Sequence, residues 1–347
     1  MRGKYWVMIA GVSVLVAALV LPGLVKTALA APKKIKFAYM MPKGRSIAKG
    51  FDWFGPEFEK RTEGRYKVEI YPGGILFKTP ASLDSIKKGV AEMAMSSIGA
   101  FERTYPLSTV TTLPALGFPG TAEGLMAADQ AFWKMYERYP GVQREFKDFK
   151  LLWYFQLNNY ILVSKKEIRL PSDLKGKKVG GTGSRNTLVE MLGGAPVEQI
   201  PPEAYLNMDR GVVDVSFLSF SQLVVYKTWE VAKYYYNYGF GGGAIPILMN
   251  LKAWNAMPPK DQKIMEETWA DAAVVANKVM EAGELRGKKA VKKEGAVLIE
   301  PSATERAAWE AAAKPLFDKW IDDAKARGAS NPEEVLGYWK KAVAAGP

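Results

Sequence analysis

The segment that decides the fold is Leu174–Lys175–Gly176–Lys177–Lys178–Val179–Gly180–Gly181–Thr182–Gly183, followed about thirty residues later by Gly211–Val212–Val213–Asp214. The first segment is typical of a turn and a short basic strand whose glycine-rich end opens onto a helix. The second is typical of a helix end that leads into a buried strand. This alternation of strand and helix predicts an α/β fold.

Hydrophobic periodicity extends the alternation along the chain. Apolar residues alternate with others over 34–41, and three phenylalanines recur at helical spacing within 46–62. The other predicted strands are 66–71, 91–97, 151–157, 160–164, 178–180 and 213–217, and the other predicted helices are 81–88, 171–174, 186–192 and 202–209. The βαβαβ order predicts largely parallel sheets that are covered by helices.

The last third of the chain is predicted to be helical. A long helical pattern covers 260–293. Ser302 and Glu305 have the spacing of a capping box for the next helix. Asn331 as an N-cap, with Pro332 at the first helical position, predicts one more short helix.

Length and composition limit the classes of function. With 347 residues, the chain is long enough for two domains. It contains no cysteine and no histidine, which removes disulfides, the usual Cys/His zinc sites and catalysis that depends on histidine. No cofactor is predicted, and a metal held only by oxygen atoms stays open.

Positive charge is spread along the chain. The formal net charge is +12 at pH 7. No arginine-rich arm or aromatic-basic RNA motif accompanies it, so nucleic acid is not a predicted partner. A solvated basic surface is the simplest interpretation.

The N-terminus has the order of a secretory signal peptide. A basic start and an apolar run over 5–20 precede the helix breakers Pro22 and Gly23, and an A-x-A cleavage site ends at Ala30. The sequence therefore predicts cleavage after Ala30 and a mature protein in the periplasm. A retained membrane anchor over 5–25 is the competing interpretation, since that run is nearly long enough to span a bilayer.

Several short motifs occur in an order and spacing that resemble one family. They are Tyr71–Pro72–Gly73–Gly74, Gly89–Val90–Ala91–Glu92–Met93–Ala94, Leu113–Pro114–Ala115–Leu116–Gly117–Phe118–Pro119, Pro171–Ser172–Asp173–Leu174–Lys175–Gly176, Leu192–Gly193–Gly194–Ala195–Pro196 and Trp254–Asn255–Ala256–Met257–Pro258–Pro259. With these motifs the chain resembles the solute-binding subunits of tripartite ATP-independent periplasmic (TRAP) transporters, the DctP-like group, over nearly the whole mature length.

The resemblance implies a two-domain periplasmic-binding-protein-like α/β fold with a ligand cleft between the domains, hinge strands and a long connecting helix. The implied division is a signal peptide over 1–30, domain I over 32–157 with 246–285, and domain II over 158–245 with 286–347. In such proteins the domains close around a small organic acid. The closed form then docks on a large and a small membrane subunit, and no catalysis is implied.

Two positions depart from the pattern of that family. Its members usually pair the ligand carboxylate with an arginine, whose two parallel donors match the two oxygens. This chain has Gly180 there. A polar Gln-Glu-Asn segment of the family is replaced by Ser216, Phe217 and Leu218, so the usual dicarboxylate ligand does not carry over to this chain directly.

Two interpretations of the pocket stay open. In one, the ligand keeps a carboxylate, which is bound by Arg185, by Arg103 or by backbone N–H groups of the glycines near the start of the helix at Asn186. In the other, the missing arginine leaves room for a bulkier, more aromatic ligand. We favour a fairly apolar, monoanionic organic acid.

The candidate ligand contacts lie at strand ends, on the cross-domain strand and in the glycine-rich segment. They are Ser96, Ser97, Gly99, Phe118, Trp153, Gln156, Asn158, Asn159, Gly180, Thr182, Arg185, Ser216, Phe217 and Phe220. Clefts in open α/β sheets form at the carboxyl ends of strands, which supports the serines. The glycines are equally compatible with turns, and the aromatic residues, including the tyrosines of 234–238, with packing in the interior.

Two other classes of function are weighed against transport. A ligand-binding sensor would present its closed form to a membrane receptor, and neighbouring genes for two membrane subunits would distinguish transport from sensing. A periplasmic enzyme is disfavoured, because Gly181–Thr182–Gly183–Ser184–Arg185–Asn186 lacks the third glycine of a dinucleotide fingerprint.

Overall fold

The computed structural model describes residues 31–44 and 47–347. Its strands are β1 (Lys33–Ala38), β2 (Tyr66–Tyr71), β3 (Met93–Met95), β4 (Phe149–Gln156), β5 (Ile161–Ser164), β6 (Lys178–Gly181), β7 (Ala195–Glu198), β8 (Val215–Leu218), β9 (Tyr234–Tyr236), β10 (Ala244–Asn250) and β11 (Val297–Ile299). Its α-helices are α1 (Ala48–Arg61), α2 (Ser82–Lys87), α3 (Ala122–Arg138), α4 (Pro140–Glu145), α5 (Ser184–Met191), α6 (Ala204–Asp209), α7 (Phe220–Tyr226), α8 (Leu251–Asn255), α9 (Pro259–Lys293), α10 (Ala303–Ala326) and α11 (Pro332–Ala345).

The predicted signal peptide over 1–30 lies outside the described residues, so its cleavage after Ala30 stays a prediction. Within the described ranges, no helix combines the length and the apolar character needed to cross a membrane.

Two mixed sheets form the framework. The first domain is built on five strands in the order β2-β1-β3-β10-β4, and the second on six in the order β11-β9-β5-β8-β6-β7. The prediction of largely parallel sheets was wrong for two strands: β10 runs antiparallel to β3 and β4, and β5 runs antiparallel to β8 and β9. Both strands enter their sheet directly from the other domain, without the helical crossover that parallel neighbours need.

Two crossing segments join the domains, between β4 and β5 and between β9 and β10. They are hydrogen-bonded to each other, since the Leu157 amide donates to the Gly243 carbonyl (2.8 Å) and the Tyr160 amide to the Gly241 carbonyl (3.0 Å). A Cβ at Gly242 would lie 2.1 Å from the Leu157 carbonyl oxygen. Only glycine allows this approach, so the glycine run of one crossing segment packs tightly against the other.

The long helix α9 packs on both domains. Its first half belongs to the aromatic core of the first domain, where Trp269 stacks on Phe54 of α1 with ring centroids 4.1 Å apart. Its second half lies against α7 of the second domain, where a Cβ at Gly287 would be only 2.0 Å from the Phe220 carbonyl oxygen. One continuous helix therefore connects the two domains, as predicted.

The predicted capping box at the start of α10 is confirmed. The Ser302 amide donates to Glu305 Oε2 (2.6 Å) and the Glu305 amide donates to Ser302 Oγ (3.2 Å). The predicted side-chain cap at Asn331 was wrong: this residue has a left-handed backbone with φ of 58° and makes no cap hydrogen bond, although Pro332 does begin α11.

The last helix, α11, packs on the first domain. Trp339 donates from Nε1 to the Leu116 carbonyl (3.1 Å) and its ring lies against Phe118. The predicted division assigns this helix to domain II. The exact domain boundaries stay a prediction.

Candidate functional site

A cleft of about 670 Å³ opens between the two domains, within the size range of small-molecule sites. Loops after β1 and the start of α1 form one side, and the loop before α6 and the start of α7 form the other. The crossing segments and α9 form the floor. The lining residues are Met41, Pro42, Gly44, Ile47, Lys49, Leu157, Asn158, Tyr160, Pro202, Ser219, Ser221, Gln222, Val224, Val225, Tyr226, Val279, Met280, Gly283 and Arg286.

The cleft wall is mostly apolar, and its charges are positive. Lys49 and Arg286, both exposed, are the charged side chains among the described lining residues, and no carboxylate is found among them. Ser219, Ser221 and Gln222 add polar groups from the second domain. Such a lining suits a ligand with an apolar body and a negative group.

Arg185 stacks on Tyr160, a residue of the cleft wall. Its guanidinium carbon is 4.4 Å from the ring centroid, and Nη2 donates to Thr182 Oγ1 (3.3 Å). The side chain is only 8% exposed, and Nη1 has no hydrogen-bond partner among the described atoms. Burial lowers the pKa of the guanidinium. Glu198 is the nearby carboxylate that favours the charge, but no direct ion pair to Arg185 is found among the described residues. Since a buried cation without a directly paired carboxylate is costly, this group is suited to receive an anion.

The space left by the missing arginine is filled. A Cβ at Gly180 would lie 2.5 Å from the side-chain amide of Gln199. That amide donates from Nε2 to Ser216 Oγ (3.0 Å) and accepts from Asn207 Nδ2 (3.1 Å). The expectation that the glycine leaves room for a bulkier ligand was therefore wrong, because a neutral amide from the residue just after β7 occupies the position.

The next glycines also serve close packing. A Cβ at Gly181 would lie 2.8 Å from the ring of Phe217, which is buried against Phe240 with ring centroids 5.3 Å apart. At the start of α5, a Cβ at Gly183 would lie 3.4 Å from Glu102 Oε1 of the first domain. A carboxylate beside this helix start disfavours a ligand anion bound there by backbone N–H groups.

Of the predicted ligand contacts, Asn158 lines the floor of the cleft. Its Nδ2 donates to Glu284 Oε1 (2.9 Å) and to the Met280 carbonyl (3.3 Å), while Oδ1 is buried without a partner among the described atoms. Glu284 Oε1 also accepts from the Ser221 amide (3.0 Å). Burial raises the pKa of the Glu284 carboxyl.

The candidates at the strand ends of the first domain lie away from the cleft surface. The Ser96 amide donates to the Pro246 carbonyl (2.9 Å), and Gln156 Nε2 donates to the Thr111 carbonyl (3.0 Å). Trp153 packs on Trp133, Ser97 is half-buried and Gly99 is exposed.

Three other candidates belong to a second cavity of about 550 Å³ on the opposite face of α9. They are Phe118, Asn159 and Phe220, and Asn159 Nδ2 donates to the Phe118 carbonyl (2.7 Å). The second cavity is lined in addition by Glu281, Glu284 and Lys288 of α9. Tyr238 also lines this cavity and stacks on Trp309.

Of the described residues that line the cleft, only Asn158 was predicted as a ligand contact. The residues that were missed include three that determine the polar contacts of the site: Tyr160, Gln199 and Glu284. Each acts through a partner that is distant in sequence or on another strand, such as Asn158 for Glu284. The glycine at position 180 was the one available signal, because it indicates that a neighbouring side chain approaches closely.

Two α/β domains that enclose a cleft, joined by crossing segments and one long helix, define a class of solute-binding proteins. The model of the family Bacterial extracellular solute-binding protein, family 7 (DctP), matches residues 37–323, so the chain belongs to this family. The family recognised from the sequence motifs is thereby confirmed.

The chain is similar to several known members. The C4-dicarboxylate-binding periplasmic protein DctP of Rhodobacter capsulatus is 27% identical over 304 residues, which cover 85% of this chain and 88% of that protein. A TRAP periplasmic solute-binding protein of Desulfovibrio salexigens, solved as an open complex, has a TM-score of 0.81 and 26% identity, covering 91% of this chain and 97% of that one.

A third similar protein is a marine metagenome TRAP solute-binding protein described as specific for aromatic acid ligands, solved with metahydroxyphenylacetate. Its TM-score is 0.78 at 23% identity, covering 90% of this chain and 99% of that one, a likeness of fold. The family and these neighbours are solute-binding proteins and not enzymes. This chain is a TRAP-type solute-binding protein.

Proposed function

We propose that this protein is the periplasmic solute-binding subunit of a TRAP transporter and carries a monoanionic, partly apolar or aromatic organic acid to a large and a small membrane subunit. The observation that carries the proposal is the cleft, which has apolar walls and positive edges, together with the buried cation Arg185 that stacks on the lining residue Tyr160.

One well-placed cation favours one carboxylate. Gln199 presents a neutral amide where members of the family usually have an arginine, which leaves Arg185 as the buried guanidinium beside the cleft wall. A carboxylate paired with this guanidinium would accept from Nη1, which has no other hydrogen-bond partner among the described atoms, and would add to the weaker interaction of the charge with Glu198. A second carboxylate would meet apolar walls or the exposed Lys49 and Arg286, where pairing is weak.

The rest of the ligand is apolar because the walls are apolar. Val224, Val225, Val279 and Met280 line the cleft. Each square ångström of apolar surface that a ligand buries there contributes about 25 cal/mol. The Rhodobacter relative is named for C4-dicarboxylates and the metagenome neighbour for aromatic acids, and the lining of this cleft favours the second type.

Binding is coupled to closure. The cleft takes its wall from both domains, and a ligand that contacts both only in the closed state shifts the population towards that state. The closed form then presents a combined surface to the membrane subunits. A sensor that presents the same surface to a receptor is the second candidate, and loss of uptake after deletion of adjacent membrane-subunit genes separates the two.

A thermal-shift screen of the mature protein tests the ligand class. We expect benzoate, phenylacetate and other monocarboxylates to raise Tm in a concentration-dependent way, since ligands that bind only the native state stabilise it by mass action. Succinate serves as the matched dianion, and sugars and amino acids as neutral and zwitterionic comparisons. Stabilisation by sugars, amino acids or dicarboxylates alone would contradict the proposal.

A further inference from the structure

Glu284 of α9 accepts hydrogen bonds from two residues that line the cleft. Its Oε1 accepts from Asn158 Nδ2 at 2.9 Å and from the Ser221 amide at 3.0 Å. Asn158 belongs to a crossing segment and Ser221 to α7, and both line the cleft. One carboxylate oxygen therefore ties together three chain segments that meet at the ligand site.

The carboxylate itself lies outside the cleft. Glu284 lines the second cavity on the opposite face of α9 and is only 7% exposed. The ammonium of Lys288, one turn further along the helix, lies over the Phe220 ring at 5.2 Å. Removing a carboxylate from water costs several kcal/mol. The hydrogen bonds from Asn158 and the Ser221 amide are the main compensating interactions, and the Lys288 charge adds to them.

Two glycines on either side of Glu284 allow α7 to approach α9. A Cβ at Gly283 would lie 3.0 Å from Ser221 Cβ, and a Cβ at Gly287 would lie 2.0 Å from the Phe220 carbonyl oxygen. The first turn of α7 therefore rests directly on α9. The Glu284 side chain reaches the Ser221 amide at this contact.

We propose that Glu284 is a positioning residue for ligand binding: the two hydrogen bonds that it accepts hold Asn158 and the first turn of α7 in the orientation that the ligand-bound cleft requires. The inference rests on the proposed function for the role of the cleft, but not on which acid binds there. Without Glu284, Asn158 Nδ2 keeps only its longer bond to the Met280 carbonyl (3.3 Å), and the Ser221 amide loses its acceptor.

Four variants test the proposal. Glu284→Gln keeps an accepting oxygen at the same reach, Glu284→Asp keeps the charge but shortens the reach, and Glu284→Ala removes the acceptor. Glu281→Ala is the matched control, because Glu281 lies on the same helix and lines the second cavity only.

Two readouts separate positioning from general stability. Because the chain has no cysteine, spin labels can be placed at Asp84→Cys in α2 and Asp209→Cys in α6, two exposed positions in different domains. The distance distribution between the labels is measured without ligand, and the Kd for benzoate is measured by calorimetry. We expect wild-type behaviour for Glu284→Gln and Glu281→Ala, and a broadened distribution with at least tenfold weaker binding for Glu284→Asp and Glu284→Ala.

Unchanged label distances in Glu284→Asp and Glu284→Ala would overturn the proposal, and so would a Glu284→Gln variant as impaired as Glu284→Ala. Should Glu284→Ala fail to fold, the comparison of Glu284→Gln with Glu284→Asp still shows whether Glu284 is a positioning residue. A wild-type protein that does not bind benzoate would count against the proposed ligand class, while the label distances measured without ligand would still test Glu284.

Discussion

The two domains support the cleft with different kinds of packing. In the first domain, the strands are backed by interlocking aromatic rings, with Phe37, Phe51 and Phe54 packed around Trp269. In the second domain, β6 ends in glycines, and side chains from other segments, such as Gln199, fill the space that a side chain would take there. The comparison indicates that burial of large aromatic side chains determines the packing of the first domain, and that close approach of neighbouring side chains to glycines determines the packing at this strand end of the second.

The two kinds of packing are expected to respond differently to substitution. Changes in the aromatic core are expected to alter stability more than ligand preference. Changes at the glycine positions are expected to move neighbouring polar groups, since the interior is close-packed and a single added methyl group is felt. Substitutions in each region separate these two expectations.

Phe54→Ala tests the aromatic cluster around Trp269 in the first domain. The ring is fully buried and stacks on Trp269 at 4.1 Å, so its removal leaves a cavity. We expect the free energy of unfolding to fall by about 4 kcal/mol, measured by urea denaturation, while the benzoate affinity of the folded variant stays within threefold of wild type. A loss below about 1 kcal/mol would contradict a first domain stabilised by this cluster.

Gly287→Ala tests the contact between α7 and α9. The new methyl group would lie 2.0 Å from the Phe220 carbonyl oxygen, so overpacking is expected to lower the free energy of unfolding by about 2 kcal/mol. Gly337→Ala in α11 is the matched control, since no atom lies within 4 Å of its Cβ position. Helix propensity there should raise stability by about 0.5–1 kcal/mol, and equal effects of the two changes would contradict the close contact.

Gly180→Ala tests the close packing at the glycine-rich end of β6. Its methyl group displaces the Gln199 amide, which loses its bonds to Ser216 and Asn207, at an expected cost of about 1–2 kcal/mol. In a Gln199→Ala background the same change should cost much less, so urea denaturation of the double-mutant cycle should show coupling. Additive effects would mean that Gln199 does not fill the position.

Asp129→Asn tests a buried carboxyl of the first domain. Burial raises the pKa of Asp129 to about 7, above the value of about 3.9 in an unfolded chain. The associated stability is fully present below about pH 4 and is lost as the pH rises through about 7.

Since asparagine does not ionise, the decrease in Tm between about pH 5 and pH 8 should be smaller in the variant. Part of the decrease should remain, because burial also raises the pKa of Glu145 to about 7. Parallel Tm profiles would contradict this assignment.

The same contrast explains how much of the molecule the sequence predicts. The strand over 66–71 and the helix α9 were predicted from hydrophobic patterns, and the capping box at Ser302 from the spacing of Ser302 and Glu305. These signals are local in the sequence. The antiparallel entry of β10 depends on a crossing between domains, which no local pattern reveals. At Gly180 the sequence is equally compatible with a turn and with close packing, and only the position of Gln199 decides.

A calorimetric titration of Arg185→Ala tests the central claim most directly. The ligand is the monocarboxylate that gives the largest thermal shift, and Arg210→Ala, an exposed arginine of the same domain, is the matched control. Because Arg185 is the buried cation at the Tyr160 wall, we predict binding at least tenfold weaker in Arg185→Ala, or about 1.4 kcal/mol, with Arg210→Ala unchanged. An affinity of Arg185→Ala equal to that of wild type would contradict the account.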